Sequence, residues 1–283
     1  MTDLIWLNGE TIPMADARLG VEDRGFQFAD GVYEVIRLYD GIPFTLAEHL
    51  GRLRRSAAGI QLAVPLTPDA LAAEVRKFIP RTGARDGMIY LQLTRGVAPR
   101  NHLFPDAAKP TLLFYARGLP PVPAPGTAEG AKLWSVADER WRRCWVKAIA
   151  LLPNVLAKNA AVAAGADEAA FVEDGVVSEC SASNLFAVIG GRVVTHPVGP
   201  KVLPGITRAV LLEVAAELGI AVDERPPRED EARRADEVFI TSTTREISWV
   251  STWNNAPVGT TPGCGPVTRR LHEALQARVR RLG

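Results

Sequence analysis

Gly118-Leu119-Pro120-Pro121-Val122-Pro123-Ala124-Pro125-Gly126 places four prolines and two glycines in nine residues. Proline removes backbone donors and glycine favours turns, so neither a helix nor a central strand persists there. The stretch divides the chain of 283 residues into a small N-terminal domain over 1–118, a linker over 119–126 and a large C-terminal domain over 127–283. Two domains also suit a chain of this length at roughly 150 residues each.

Working outward, the upstream part mixes strands and helices. Leu4–Leu7 followed by Asn8-Gly9, and Val32–Tyr39 ending at Asp40-Gly41, predict strands closed by tight turns. Leu46, Leu50, Leu53 and Ala57 form one helical stripe, with Thr45 and Glu48 spaced as a capping box. A second amphipathic helix is expected from Pro68 to Phe78, then a strand over Met88–Thr94 and a loop over Arg95–Pro105. Downstream, the sequence predicts strands rich in Trp, Val and Ile, including the run around Lys147, and a short helix across Val155–Ala164. Hairpins should turn at Asp174-Gly175 and Gly190-Gly191. Helices should follow Pro204-Gly205, ending at Gly219, and start again at Pro266. These patterns give two α+β domains, without the βαβ run of a parallel Rossmann sheet.

The composition excludes several classes. With 33 Lys plus Arg against 32 Asp plus Glu, the chain has no global field for nucleic acid or an anionic membrane. Cys144, Cys180 and Cys264 are scattered and odd in number, and no CxxC or HxxxH pair exists, so no metal site is expected. No apolar run approaches 18 residues and the N-terminus lacks a signal-peptide pattern, which reads as a soluble, cytoplasmic protein. No GxGxxG follows a strand, which argues against a nicotinamide dehydrogenase.

Four features could carry chemistry. Lys147 is one of only six lysines and sits in Trp145-Val146-Lys147-Ala148-Ile149-Ala150. An amine in such surroundings either snorkels to water or becomes a nucleophile able to form a Schiff base. Thr207, opening a helix, and Thr241-Ser242-Thr243-Thr244, after an apolar strand, suit either ordinary capping or an anion. Glu179 stands alone among small polar residues, Ser178 to Asn184, as a structural acceptor or the partner of a cationic ring nitrogen. Arg100 and His102 at i and i+2 face the same way in extended chain, as a solvated loop or a carboxylate clamp.

Taken together, the segments Asp23–Glu34, Glu48–Leu53, Lys147, Glu179 with Ser183-Asn184, Leu203–Arg208 and Thr241–Glu246 resemble the fold-type IV pyridoxal-phosphate aminotransferases. Within that family, Thr94-Arg95-Gly96 and Pro99-Arg100-Asn101-His102 are most similar to the D-amino-acid transaminase branch. Branched-chain L-aminotransferases and aminodeoxychorismate lyases are the alternatives. The resemblance implies a small N-terminal α/β domain, a larger β-barrel-like α+β domain, and pyridoxal 5'-phosphate as cofactor. It implies that Lys147 forms the Schiff base and shuttles the proton, and that Glu179 meets the pyridine nitrogen. Arg52, Ser183, Asn184, Leu203, Ile206, Thr207, Ser242 and Thr243 would complete the cofactor site, with Tyr33, Arg100 and His102 on the substrate carboxylate. The substrates would be a D-amino acid and a 2-oxo acid. The assembly would be a homodimer in which Arg100 and His102 come from the neighbouring subunit.

Overall fold

The computed structural model describes residues 2–282. Its chain separates into two units, one of residues 2–121 with 146–150, the other of residues 122–145 with 151–282.

The first unit is one antiparallel sheet with helices. Its strands are β1 (Leu4–Leu7), β2 (Glu10–Pro13), β3 (Gly31–Tyr39), β4 (Ile42–Pro43), β5 (Gly87–Thr94) and β6 (Thr111–Gly118), in the order β2-β1-β6-β5-β3-β4. Period-two alternation sends Val32, Glu34, Ile36 and Leu38 of β3 to one buried face. A short helix, α1 (Arg24–Phe28), leads into β3 and is capped by Asp23. The buried face meets α2 (Leu46–Gly59), whose Leu46, Leu50, Leu53 and Ala57 are all buried, as their spacing predicts. The opposite face carries a ladder of rings: Tyr33 stacks on Tyr90, and Tyr90 on Tyr115.

Three local expectations need correction here. Thr45 does not cap α2: the tight entry from β4 forces it to φ +51°, and its hydroxyl donates instead to the Phe44 carbonyl. Helix α3 runs from Pro68 to Thr82, past the expected end, with Pro80 tolerated in its last turn. The Lys147 segment is not a strand. Ala148 N–H donates to the Val146 carbonyl at 2.8 Å, which makes a γ-turn centred on the lysine. Apolar and β-branched neighbours look the same whether they line a strand or anchor a turn.

The second unit holds a nine-stranded mixed sheet. Its strands are β7 (Ala131–Ala137), β8 (Glu168–Glu173), β9 (Val176–Cys180), β10 (Asn184–Ile189), β11 (Arg192–Thr195), β12 (Val222–Glu224), β13 (Glu237–Ser242), β14 (Glu246–Trp253) and β15 (Ala256–Pro257). The order is β12-β11-β10-β13-β14-β7-β8-β9, with β15 beside β14. Helices α4 (Leu152–Ala163), α5 (Ile206–Glu217), α6 (Glu229–Arg233) and α7 (Pro266–Val279) complete it. Strands β7 and β8 are parallel and joined through α4, a βαβ crossover that the sequence did not suggest. Fourteen residues of irregular chain, 138–151, separate β7 from its helix and hide the pattern. Leu133, Ala170, Val177, Leu185, Val238, Ile240 and Trp253 share one core between the strands. No helix among the described residues is long and apolar enough to cross a membrane.

Candidate active site

In the first unit the Lys147 γ-turn is stitched to the open edge of β3. Tyr33 N–H donates to the Lys147 carbonyl at 3.0 Å, and Ile149 N–H to the Gly31 carbonyl at 3.1 Å. Ser56 of α2 accepts the Lys147 N–H through its hydroxyl at 3.0 Å. With its backbone held at three points, Lys147 is half-buried and extends Nζ over the Tyr33 ring, 4.2 Å from the centroid. The amine is thus presented by a rigid turn rather than by a mobile loop.

Behind it lies a buried ionic cluster. Glu34 occupies an apolar-parity position of β3 and is fully buried. It accepts Arg52 Nε on Oε1 and Arg52 Nη2 on Oε2, each at 2.7 Å, and His49 Nδ1 lies 2.7 Å from Oε2. Burial raises the proton affinity of Glu34, but the Arg52 charge and hydrogen bonds overcome it and hold the carboxyl down at about 2. Burial, with the nearby charges of Arg52 and Lys147, keeps His49 below its ordinary value despite Glu34. Arg52, which the resemblance assigns to the cofactor phosphate, meets Glu34 through Nε and Nη2. Neither Glu34 nor His49 was singled out from the sequence, although the parity of Val32, Glu34, Ile36 and Leu38 already marks a carboxylate that must find a partner.

Arg100 and His102 lie on the exposed loop after β5 and converge on one ring. Arg100 stacks over Phe28 at 4.5 Å, and the His102 ring centroid is 5.6 Å from it. The loop is pinned from below: Arg24 donates to the Asn101 and Leu103 carbonyls while its Nε and that of Arg95 share Asp30. Tyr33 keeps company with Lys147 rather than with this pair.

In the second unit Glu179, at the end of β9, is the centre. Its Oε2 accepts Asn184 Nδ2 and the Leu203 N–H, each at 3.0 Å, and its Oε1 accepts Arg140 Nη1 at 2.5 Å. Burial pushes its proton affinity up to about 7, against Arg140 and with a further upward push from Asp138. Asn184 also donates to the Leu203 carbonyl, and a Cβ at Gly205 would meet its Oδ1 at 2.0 Å. The start of α5 is therefore drawn against Asn184 and Glu179. Gly205 supplies no side-chain cap, which leaves the α5 amide donors around Ile206 and Thr207 for an anion. In the register of β10 with β13, Asn184 stands opposite Thr241, so Ser242 and Thr243 follow at the same end of the sheet. Thr241 Oγ1 and Ser181 Oγ are buried without a hydrogen-bond partner. Orphaned hydroxyls, an uncapped helix start and a buried carboxylate fit a phosphorylated ring with a basic nitrogen. Ser183 gives its hydroxyl to Glu168, which also accepts the Ala182 N–H, so these two brace the turn.

Residues 31–253 match the amino-transferase class IV family, and the chain belongs to it. Among its relatives are D-alanine aminotransferases of Bacillus licheniformis, 38% identical over 96% of this chain and 95% of that one, and of Staphylococcus haemolyticus, 40% identical over 96% of each. The solved branched-chain amino acid aminotransferase from Escherichia coli superposes with a TM-score of 0.89 at 28% identity, covering 98% of this chain and 94% of that one. Another solved branched-chain aminotransferase contains pyridoxamine 5'-phosphate; its TM-score is 0.89 at 30% identity, over 99% and 95% of the two chains.

Proposed function

We propose that the protein is a pyridoxal 5'-phosphate-dependent transaminase that moves the amino group of a D-amino acid to a 2-oxo acid. The observation that supports the D branch is the pair Arg100 and His102, two donors gathered on the Phe28 ring where a carboxylate can be clamped. Relatives named for D-alanine are also the more identical, at 38% and 40% against 28% and 30% for the branched-chain structures.

When bound, the cofactor supplies an electron sink for the carbanion left at the substrate α-carbon. Lys147 Nζ would hold the cofactor covalently and would carry the substrate α-proton. Glu179, steadied by Asn184 and the Leu203 amide, would meet the ring nitrogen. Ile206 and Thr207 with Ser242, Thr243 and Arg52 would bind the phosphate, while Ser183 braces the turn beside Glu179. Tyr33 and the Arg100–His102 pair orient the substrate carboxylate, and so decide which enantiomer directs its α-hydrogen at the lysine. The working form is a cytoplasmic homodimer, with Arg100 and His102 lent to the partner's site.

A screen with paired D and L amino acids tests this. D-alanine or D-glutamate should turn over well above the L forms. Arg100→Ala should raise the amino-acid KM by ~10-fold or more, since a hydrogen bond to a charged group is worth roughly 1.5–3 kcal/mol. A wild type that prefers L-leucine or L-valine, with kinetics indifferent to Arg100→Ala, overturns the D reading in favour of the branched-chain one.

A further inference from the structure

Glu179 does not act alone in its pocket. Arg140, on the irregular chain after β7, is itself buried, with its guanidinium 4.1 Å over the Phe171 ring. It forks onto Asp138 through Nε and Nη2, both at 2.9 Å, and its Nη2 reaches the Ser178 hydroxyl and the Lys201 carbonyl at 3.0 Å. The remaining Nη1 meets Glu179. Ser178 closes the ring by donating to Asp138 at 2.9 Å. One guanidinium thus lies between two buried carboxylates, Asp138 on one side and Glu179 on the other. Other titratable groups nearby are Cys144 and Cys180, whose thiols burial pushes up and keeps neutral.

We infer that Arg140 is a positioning residue whose charge, opposed by Asp138, decides whether the proton shared between Glu179 and the cofactor ring nitrogen rests on the ring. The inference rests on the reading that Glu179 faces that nitrogen. The physical reason is the sign of each charge. A cation against Glu179 lowers its hold on a proton, and an anion behind that cation weakens the effect. Burial has already raised the proton affinity of Glu179 to about 7. Without Arg140, Glu179 would stand beside Asp138, two carboxylates in one dry pocket, and would keep the proton for itself. With Arg140 present, the proton is released to the ring nitrogen. Arg140 also holds the carboxylate plane through a charge-assisted bond, so its loss loosens the grip on the ring.

The test uses the holoenzyme loaded with cofactor isotope-labelled at the ring nitrogen, whose NMR shift reports protonation of that atom without turnover. Arg140→Gln should move the signal toward the unprotonated ring and speed cofactor loss by about tenfold. Asp138→Asn should leave the signal protonated and slow cofactor loss. A merely structural role for the cluster would move both variants the same way, so a common direction, or no shift in Arg140→Gln, overturns the proposal. If Arg140→Gln does not fold, Arg140→Lys keeps the charge and should stay protonated; an unprotonated ring there overturns it equally. Glu179→Gln separates the two readings. If it leaves the ring signal at the wild-type position, Glu179 is not at the nitrogen and the functional reading of that residue fails. If it shifts the signal while the Arg140 and Asp138 variants do not, only the present inference fails.

Discussion

Glu34 shows how one side chain couples the stability of the fold to acid. Its carboxyl is held at about 2 in the folded state against an ordinary value of 4.5, so the unfolded chain takes up a proton first as the pH falls. The stability it contributes is complete above about pH 5 and is lost progressively toward pH 2. His49, held below its ordinary 6.5, acts in the same direction. Glu34→Gln should therefore cost about 3–5 kcal/mol near pH 7, because Arg52 is left buried opposite a neutral amide. The gap between variant and wild type should close as thermal unfolding is followed from pH 5 to pH 2. A gap independent of pH would mean that the ion pair contributes nothing and only shape was lost.

Among the elements, the loop after β5 is a tightly constrained irregular segment of the first unit. Gly96 opens it at φ +92°, and a Cβ there would come within 1.8 Å of the Lys109 carbonyl oxygen, an atom of backbone that cannot swing aside. Arg24 N–H donates to the Gly96 carbonyl, which ties the turn to α1. Gly96→Ala should destabilise the protein by at least ~1–3 kcal/mol, the usual cost of a non-glycine residue forced into such a conformation. It should also raise the amino-acid KM more than it changes cofactor affinity, since Arg100 and His102 hang from this loop; equal losses in both would show that the damage spreads beyond it. Element by element, sequence and structure agree where periodicity is long. The stripe Leu46, Leu50, Leu53 and Ala57 and the stripe from Ile206 to Val214 are buried as their spacing requires. They part where three or four residues decide: Thr45, whose conformation the preceding turn imposes, and Lys147, whose neighbours suit a strand but close a γ-turn. The candidate site was legible mainly through likeness to a family, since each of its motifs read alone also suits ordinary capping or a solvated loop. Arg140 could not be found that way, because its partners Asp138, Ser178, Glu179 and Lys201 are brought together by β9 and the loops after β7 and before α5, not by spacing.

At the scale of the molecule, the first unit ends at Pro121, within the proline-rich stretch, yet the division is not a clean seam. The first unit takes residues 146–150 from beyond it, where they pair with the first residues of β3. A protease site introduced at Ala124 should thus leave two pieces that still elute together from a sizing column, because the downstream piece supplies the Lys147 turn to the upstream sheet. Separate elution would mean that this pairing is too weak to hold the first unit to its missing segment. The same crossing constrains ancestry. A recombination at the proline-rich stretch would inherit the Lys147 turn with one parent's half and the strand that steadies it with the other's. Such a hybrid would work only if both parents had kept the same fit between residues 146–150 and β3, so the lysine and the strand edge it leans on must descend as one heritable unit despite the long stretch of chain between them.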